Sequence, residues 1–191
     1  MKLERENSIY SLKNNKIENY FGIKIQELTF AKKINLRIDT NNNSLATCSK
    51  ILNIMLPTKP NTYTKKDYLK VIWLGPDEWL IINSEDNLFL KLKDKLGDIE
   101  ASVTDISENR TIIRISGEKI FTLLSKFLVL DLEKNLGSVS SCAQTLFVKV
   151  PILLVRNYKK QQMTEIDILV NRSHANYIYS LLVDGTNNLD F

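Results

Sequence analysis

The residues able to do chemistry in this 191-residue chain are few: one histidine, two cysteines, and carboxylates scattered among lysines. Nucleophilic catalysis with an imidazole base would have to use His174, directly after Ser173 at the start of a predicted helix. There Ser173 is better employed accepting a backbone N–H bond, and no nucleophile with an orienting carboxylate converges on His174 by motif. Cys48 and Cys142 lie far apart and neither has a CxxC partner, so with a single histidine no tetrahedral zinc site of the usual kind can be assembled. Two buried free thiols in a reducing compartment are expected instead. Asp77 and Glu78 are adjacent, and on a strand they would point to opposite faces rather than at one substrate. A turn suits them better: Pro76 fixes φ at the second turn position and Asp77 can bond back to the local backbone. Six dispersed glycines form neither GxGxxG nor GxxxxGK[ST], which excludes the usual phosphate loops. No catalytic, cofactor-binding or metal-ligating residue is therefore assigned.

Composition narrows the classes further. Hydrophobic residues make up 43% and charged residues 25%, an ordinary globular balance. A chain of this length buries roughly 70% of its unfolded surface and needs no disulfide or metal to fold. The net charge of +4 comes from 26 basic residues set against 22 acidic ones, scattered rather than gathered on one stripe. Lys32-Lys33, Lys65-Lys66 and Lys159-Lys160 read as solvated surface. The segment Glu78-Trp79-Leu80-Ile81-Ile82-Asn83 fails the RNA-recognition consensus, and Trp73 and Trp79 read as a cross-hairpin or core pair. No nucleic-acid partner is expected. Residues 1–20 are too polar for a signal peptide, and runs such as 152–155 are far too short to span a bilayer. No membrane association and a cytoplasmic location follow as expectations.

The elements that must position these residues alternate along the chain. Residues 1–20 show no sustained period and read as an N-terminal arm, a candidate partner contact; residues 186–191 read the same way. Ile34, Leu36 and Ile38 alternate as a strand, and Leu45, Cys48, Ile51, Leu52 and Met55 recur at helical spacing until Pro57 and Pro60. Strands at 71–74 and 79–82 flank Gly75-Pro76-Asp77-Glu78. A helix over Leu88, Leu92 and Leu96 stops at Gly97, and 101–106 forms another strand. This is the split ferredoxin-like order β-α-β-β-α-β. It nearly repeats: a strand at 111–115, a helix opened by Gly117 with Ile120 to Leu128 on its buried side, strands at 145–150 and 152–155 around Pro151, and a strand at 165–170. Pro151 suits a bulge or an edge. A final helix is capped by Ser173 and ended by Gly185. The expected fold is α+β, with two intimately packed ferredoxin-like βαββ(αβ) halves at 21–107 and 108–191.

At Leu74-Gly75-Pro76-Asp77-Glu78-Trp79-Leu80 the chain resembles the gamma-subunit family of heterotetrameric sarcosine oxidase, which carries this LGPDEWL hairpin. The resemblance extends to Leu36-Arg37, to Leu56-Pro57-Thr58-Lys59-Pro60-Asn61 and to Val103-Thr104-Asp105-Ile106-Ser107. It continues through Arg110 and Thr111-Ile112-Ile113-Arg114-Ile115-Ser116-Gly117, then Leu130-Asp131-Leu132, Cys142-Ala143-Gln144-Thr145 and Arg172-Ser173. His174 and the short loop 136–139 depart from the family pattern. The resemblance implies a non-catalytic assembly subunit of a complex that oxidatively demethylates sarcosine to glycine, with tetrahydrofolate accepting the one-carbon unit and hydrogen peroxide formed. It implies alpha, beta and delta partner subunits holding FAD, FMN, NAD and zinc, and no cofactor in this chain. The stretch 105–117 also resembles part of the first domain of folate-dependent aminomethyltransferases. A stand-alone folate-binding one-carbon-transfer protein is therefore the alternative, although such enzymes are considerably longer.

Overall fold

The computed structural model describes residues 6–9, 17–40, 42–82, 85, 87–97, 100–157, 163–187 and 189. In chain order its elements are β1 (Ile17–Tyr20), β2 (Ile23–Glu27), β3 (Lys33–Ile38), α1 (Asn42–Leu52), β4 (Tyr63–Lys66), β5 (Leu69–Gly75), β6 (Glu78–Ile82), α2 (Leu88–Lys95) and β7 (Ala101–Asp105). They continue with β8 (Arg110–Ser116), α3 (Ile120–Ser125), α4 (Leu132–Leu136), β9 (Cys142–Phe147), β10 (Val150–Asn157), β11 (Glu165–Asn171) and α5 (Ala175–Gly185). The chain divides into two compact units. One holds Ala31–Ser107 with Ser140–Cys142; the other holds Met1–Phe30, Glu108–Val139 and Ala143–Phe191. No helix among the described residues is long and apolar enough to cross a membrane.

The unit built on Ala31–Ser107 carries a sheet ordered β4-β5-β6-β3-β7, antiparallel at every pairing. Without β4, this is the strand order of a split β-α-β-β-α-β unit. Alternation in β3 sends Ile34, Leu36 and Ile38 to one face, where they meet Cys48 and Leu52 of α1 and Leu88 and Leu92 of α2. The helix α1 ends at Leu52, earlier than the prolines would require. Asn53 adopts φ +54° and the Ile54 N–H reaches back to the Ser49 carbonyl at 3.2 Å, the left-handed closure that asparagine tolerates. The strand β4 was not legible because Tyr63-Thr64-Lys65-Lys66 is too polar to announce itself.

The other unit has a sheet ordered β1-β2-β8-β11-β10-β9. Its inner four strands, β2-β8-β11-β10, repeat the ferredoxin-like order, but the fourth position is filled from the N-terminal segment. The strand β2 pairs antiparallel with β8, Ile25 opposite Ile115. Residues 21–30, which sequence reading attached to the first half, thus belong with 108–191. The reason is physical: 108–191 supplies three ferredoxin-like strands and an outer β9, leaving the free side of β8 to be paired. Residues 17–20, read as arm, form β1 on the outer side of β2. Ile23, Ile25, Ile113, Ile115, Ile166, Ile168, Leu182 and Tyr179 share the unit's core.

Three local expectations change here. The helix after Gly117 runs only from Ile120 to Ser125; Phe127 leaves it to stack on Phe147 with ring centroids 4.8 Å apart, and the short α4 follows, capped by Asp131. Pro151 is the second residue of β10, next to the two-residue turn at Val148 and Lys149, so the strand break lies before it. Ser173 does not cap the last helix. The chain leaves β11 through a 3-10 turn at Arg172–His174, which places Ser173 inside the turn and makes His174 the residue before α5. Gly185 is needed for contact: a Cβ there would lie 2.6 Å from the Phe127 ring.

Gly117 is subject to a harder constraint, because a Cβ on it would stand 2.7 Å from the Gly22 carbonyl oxygen, a backbone atom at the β1–β2 turn. Gly117→Ala is expected to destabilise by about 1–3 kcal/mol through the forced backbone shift. A lowered urea midpoint, followed by circular dichroism, checks this; an unchanged midpoint would show that the turn yields freely.

Candidate functional site

The segments with the strongest sequence signal meet around one hairpin. Between β5 and β6 the chain turns at Pro76 and Asp77, with a register shift between Trp73 and Gly75. Trp73 faces Trp79 across the pair. Trp79 is 1% exposed, packs with Leu36, Leu52 and Leu56, and donates its Nε1–H to the Pro57 carbonyl at 2.8 Å. That bond satisfies the indole's polar atom and fixes the 56–61 segment over the sheet. Asn61, at φ +59°, offers its carbonyl to the Cys142 N–H at 2.9 Å. The Cys142 thiol lies 3.6 Å from the Thr62 carbonyl and 3.9 Å from that of Trp73. Residues 56–61, 74–80 and the start of 142–145 are thus one connected structure.

The carboxylates of the hairpin are engaged locally. Asp77 is the turn residue, but its side chain takes the Arg37 guanidinium at 2.7 Å instead of bonding back to the local backbone; its carbonyl accepts from the Ile38 N–H at 3.1 Å. Glu78 accepts from the Asn35 amide at 2.7 Å. The Arg37–Asp77 pair is about half exposed on both sides and therefore strongly screened. Asp105 accepts from the Ser107 hydroxyl at 2.5 Å and its amide at 2.9 Å, which holds its carboxyl below the usual range. The same Ser107 hydroxyl receives the Lys33 N–H at 3.0 Å, so the 103–107 segment closes β7 against β3.

In the other unit, sequence reading missed two polar clusters. Arg114 forks onto Asp167 at 2.7 and 3.0 Å with Glu165 at 3.4 Å, on the sheet face opposite the core cluster. The signal was available: Arg114 interrupts an apolar strand, and Glu165 and Asp167 alternate with isoleucines. The second is Glu27, 3% exposed, whose two oxygens accept the N–H groups of Ser8 and Ile9 at 2.9 Å each and the Thr111 hydroxyl at 2.5 Å. Asn176 donates to the Ser8 carbonyl at 2.7 Å, and Ile9 is fully buried in the core. Residues 6–9, expected as part of a partner-contacting arm, are fastened within their own unit; residues 1–5 and 10–16 lie outside the described residues. At the other terminus Leu189 is likewise buried.

His174 is exposed, with Ser173 Oγ 3.3 Å from Nδ1 and no carboxylate orienting the ring among the described residues. Cys48 and Cys142 are free and buried. Burial pushes their thiols up to about 11 and about 12, so neither is a thiolate nucleophile at neutral pH. Burial, then the Glu18 carboxylate and the Tyr179 hydroxyl, raise the Tyr20 phenol, which joins both groups in a hydrogen-bonded cluster. No group of three histidine, cysteine or acidic side chains able to hold a metal occurs among the described residues. A cleft of about 560 Å³ between the end of α1 and the start of α2 is lined by Leu52, Leu69 and Leu88 together with Lys66, Lys91 and Glu85. Lys66 is committed there to the Asn53 carbonyl at 3.1 Å.

Comparison with known proteins bears on these geometries. The sarcosine oxidase, gamma subunit family matches residues 37–188. A sarcosine oxidase subunit gamma from Corynebacterium sp. (strain P-1) is 29% identical over 136 residues, covering 70% of this chain and 67% of that one. One from Arthrobacter sp. is 29% identical over 137 residues, covering 71% and 68%. Among solved structures, a chain of the heterotetrameric sarcosine oxidase from Corynebacterium sp. U-96, in complex with pyrrole 2-carboxylate, superposes with a TM-score of 0.85 at 22% identity. The superposition covers 100% of this chain and 98% of that one, and establishes the shared fold.

Two substitutions test the fastenings. Trp79→Ala is expected to cost about 3–5 kcal/mol, and Trp79→Phe about 1–3 kcal/mol from the unpaired Pro57 carbonyl, both read in urea unfolding. If Trp79→Ala leaves stability unchanged, the core role of the indole fails. Glu27→Ala strands two buried donors, the Ile9 N–H and the Thr111 hydroxyl, at about 1–3 kcal/mol each, and leaves the part-buried Ser8 N–H without its acceptor. Hydrogen exchange at the Ser8 and Ile9 amides should then accelerate ahead of the β8 amides, and unaltered protection would show that Ile9 alone holds the segment.

Proposed function

Because the chain belongs to the sarcosine oxidase gamma subunit family, we propose that it is an assembly subunit of a heterotetrameric oxidase that demethylates sarcosine to glycine. The observation that carries this reading is the family match over 37–188, which takes in residues of both compact units and every clustered motif segment. In this reading the alpha, beta and delta subunits hold FAD, FMN, NAD and zinc and bind the tetrahydrofolate that accepts the one-carbon unit; hydrogen peroxide forms at the flavins. This chain contributes surface and rigidity rather than a reacting group, and the complex works in the cytoplasm.

The engagement of the chain's ionised groups supports that division of labour. The carboxylates of the signature hairpin are turned to Arg37 and Asn35, and Arg114 is matched to Asp167 in a two-pronged geometry that suits fixing strands. Both thiols are buried and protonated at neutral pH.

Purification of the tagged chain from its own cells is the test. Three further chains should come with it, with flavin absorbance and peroxide production on adding sarcosine. A colourless monomer that binds tetrahydrofolate would overturn the assembly reading in favour of a one-carbon-transfer protein.

A further inference from the structure

The tip of the β9–β10 hairpin departs from two general rules of hairpin turns and sheet edges. Val148 occupies the first central position of a two-residue turn at φ +57°, where glycine ordinarily sits because a side chain there is strained. A β-branched residue in that region is a clear outlier, and strain of this kind persists where function requires the side chain. The side chain is also turned outward: Val148 is 46% exposed and Leu146, two residues earlier on β9, is 53% exposed. The Val148 N–H is tied to the Phe127 carbonyl at 2.9 Å, and two residues beyond Phe127 stands Val129, fully exposed. Three aliphatic side chains are thereby presented to solvent beside one turn.

The second broken rule concerns sheet edges. An exposed edge strand is normally guarded by charge against pairing with another chain. The edge strand β4 of the other unit follows this, with Lys65 and Lys66 exposed. The edge strand β9, Cys-Ala-Gln-Thr-Leu-Phe, has no charged residue, and from residue 142 to residue 155 the single charge is Lys149 in the turn.

We propose that Leu146, Val148 and Val129 form the apolar centre of the surface on which a different subunit of the oxidase docks, through an apolar patch bordered by a carboxylate. The inference deepens the assembly reading and rests on it. Charge selects this occupant over a second copy of the chain: a two-fold contact on this hairpin would bring Lys149 against Lys149, with no acidic residue in the hairpin to offset them. An uncharged aliphatic centre with Lys149 beside it in the turn matches the layout of a stable subunit interface, apolar within and polar around.

The test is co-expression of the tagged full chain with the other oxidase subunits from the same source, followed by size exclusion. Leu146→Asp and Val129→Asp should each elute apart from the complex, at least ten-fold weaker in association, with unfolding curves like the wild type. Val148→Gly separates function from structure: release of the turn strain should raise the melting temperature by about 2–4 °C while association weakens. Aspartate variants that assemble like the wild type would overturn this surface and leave the assembly reading standing. A wild-type chain that joins no partner would overturn both. A wild-type homodimer that the aspartate variants dissociate would overturn the choice of occupant.

Discussion

The buried Glu27 carboxylate is the interaction on which the arrangement of this chain turns. The strand β8 has β11 on one side, and its other side is paired by a strand that precedes the whole Ala31–Ser107 unit in sequence. Long-range pairing of this kind pays loop-closure entropy before any contact rewards it. Five-residue β2 offers only Ile23 and Ile25 to the core, and its third inward position is an acid. A carboxylate there would be costly if unpaired. Accepting two backbone N–H groups and the Thr111 hydroxyl, it becomes the point where residues 6–9, β2 and β8 are joined, with Ile9 added to the core beside it.

The same logic of satisfied polar groups explains the motif spacing in the other unit. Trp79 fills the core and its indole N–H must find an acceptor; the Pro57 carbonyl supplies it only if the chain between α1 and β4 crosses over the sheet at that place. Asn61, held at positive φ, turns its carbonyl to Cys142. Residues 56–61, 74–80 and 142 are distant in sequence because they belong to three passes of the chain through one hydrogen-bonded cluster. A short motif at each pass is the trace of that single constraint.

How legible was this in the sequence? Residues with strong periodicity announced themselves: β3, β5, β6, β8, α2 and α5 lie where alternation or helical spacing put them. What failed was polar, short or strained. The strand β2 was hidden by Glu27 in a core position, β4 by its lysines, and α4 by having only five residues. Ser173 carried a valid capping signal that a 3-10 turn intercepted. The LGPDEWL turn was readable because proline, aspartate and a large apolar residue each have a local reason to be there. The partner of Asp77 was not, since Arg37 reaches it through sheet pairing that no local pattern encodes.

Backbone strain follows the same division between structure and surface. Asn53, Asn61 and Asp67 adopt positive φ with side chains that tolerate it, and the first two have visible structural work in closing α1 and fixing Cys142. Phe21 is less suited, but Gly22 follows it, also at positive φ, and the pair makes the turn whose twist matches its flanking strands. Val148 has no such glycine beside it. Its neighbour is Lys149, its carboxyl-side strand begins with Val150-Pro151, and a glycine in its place would fold the hairpin at less cost. A side chain retained against that gradient, facing outward on an uncharged edge, is accounted for by contacts the isolated chain does not contain.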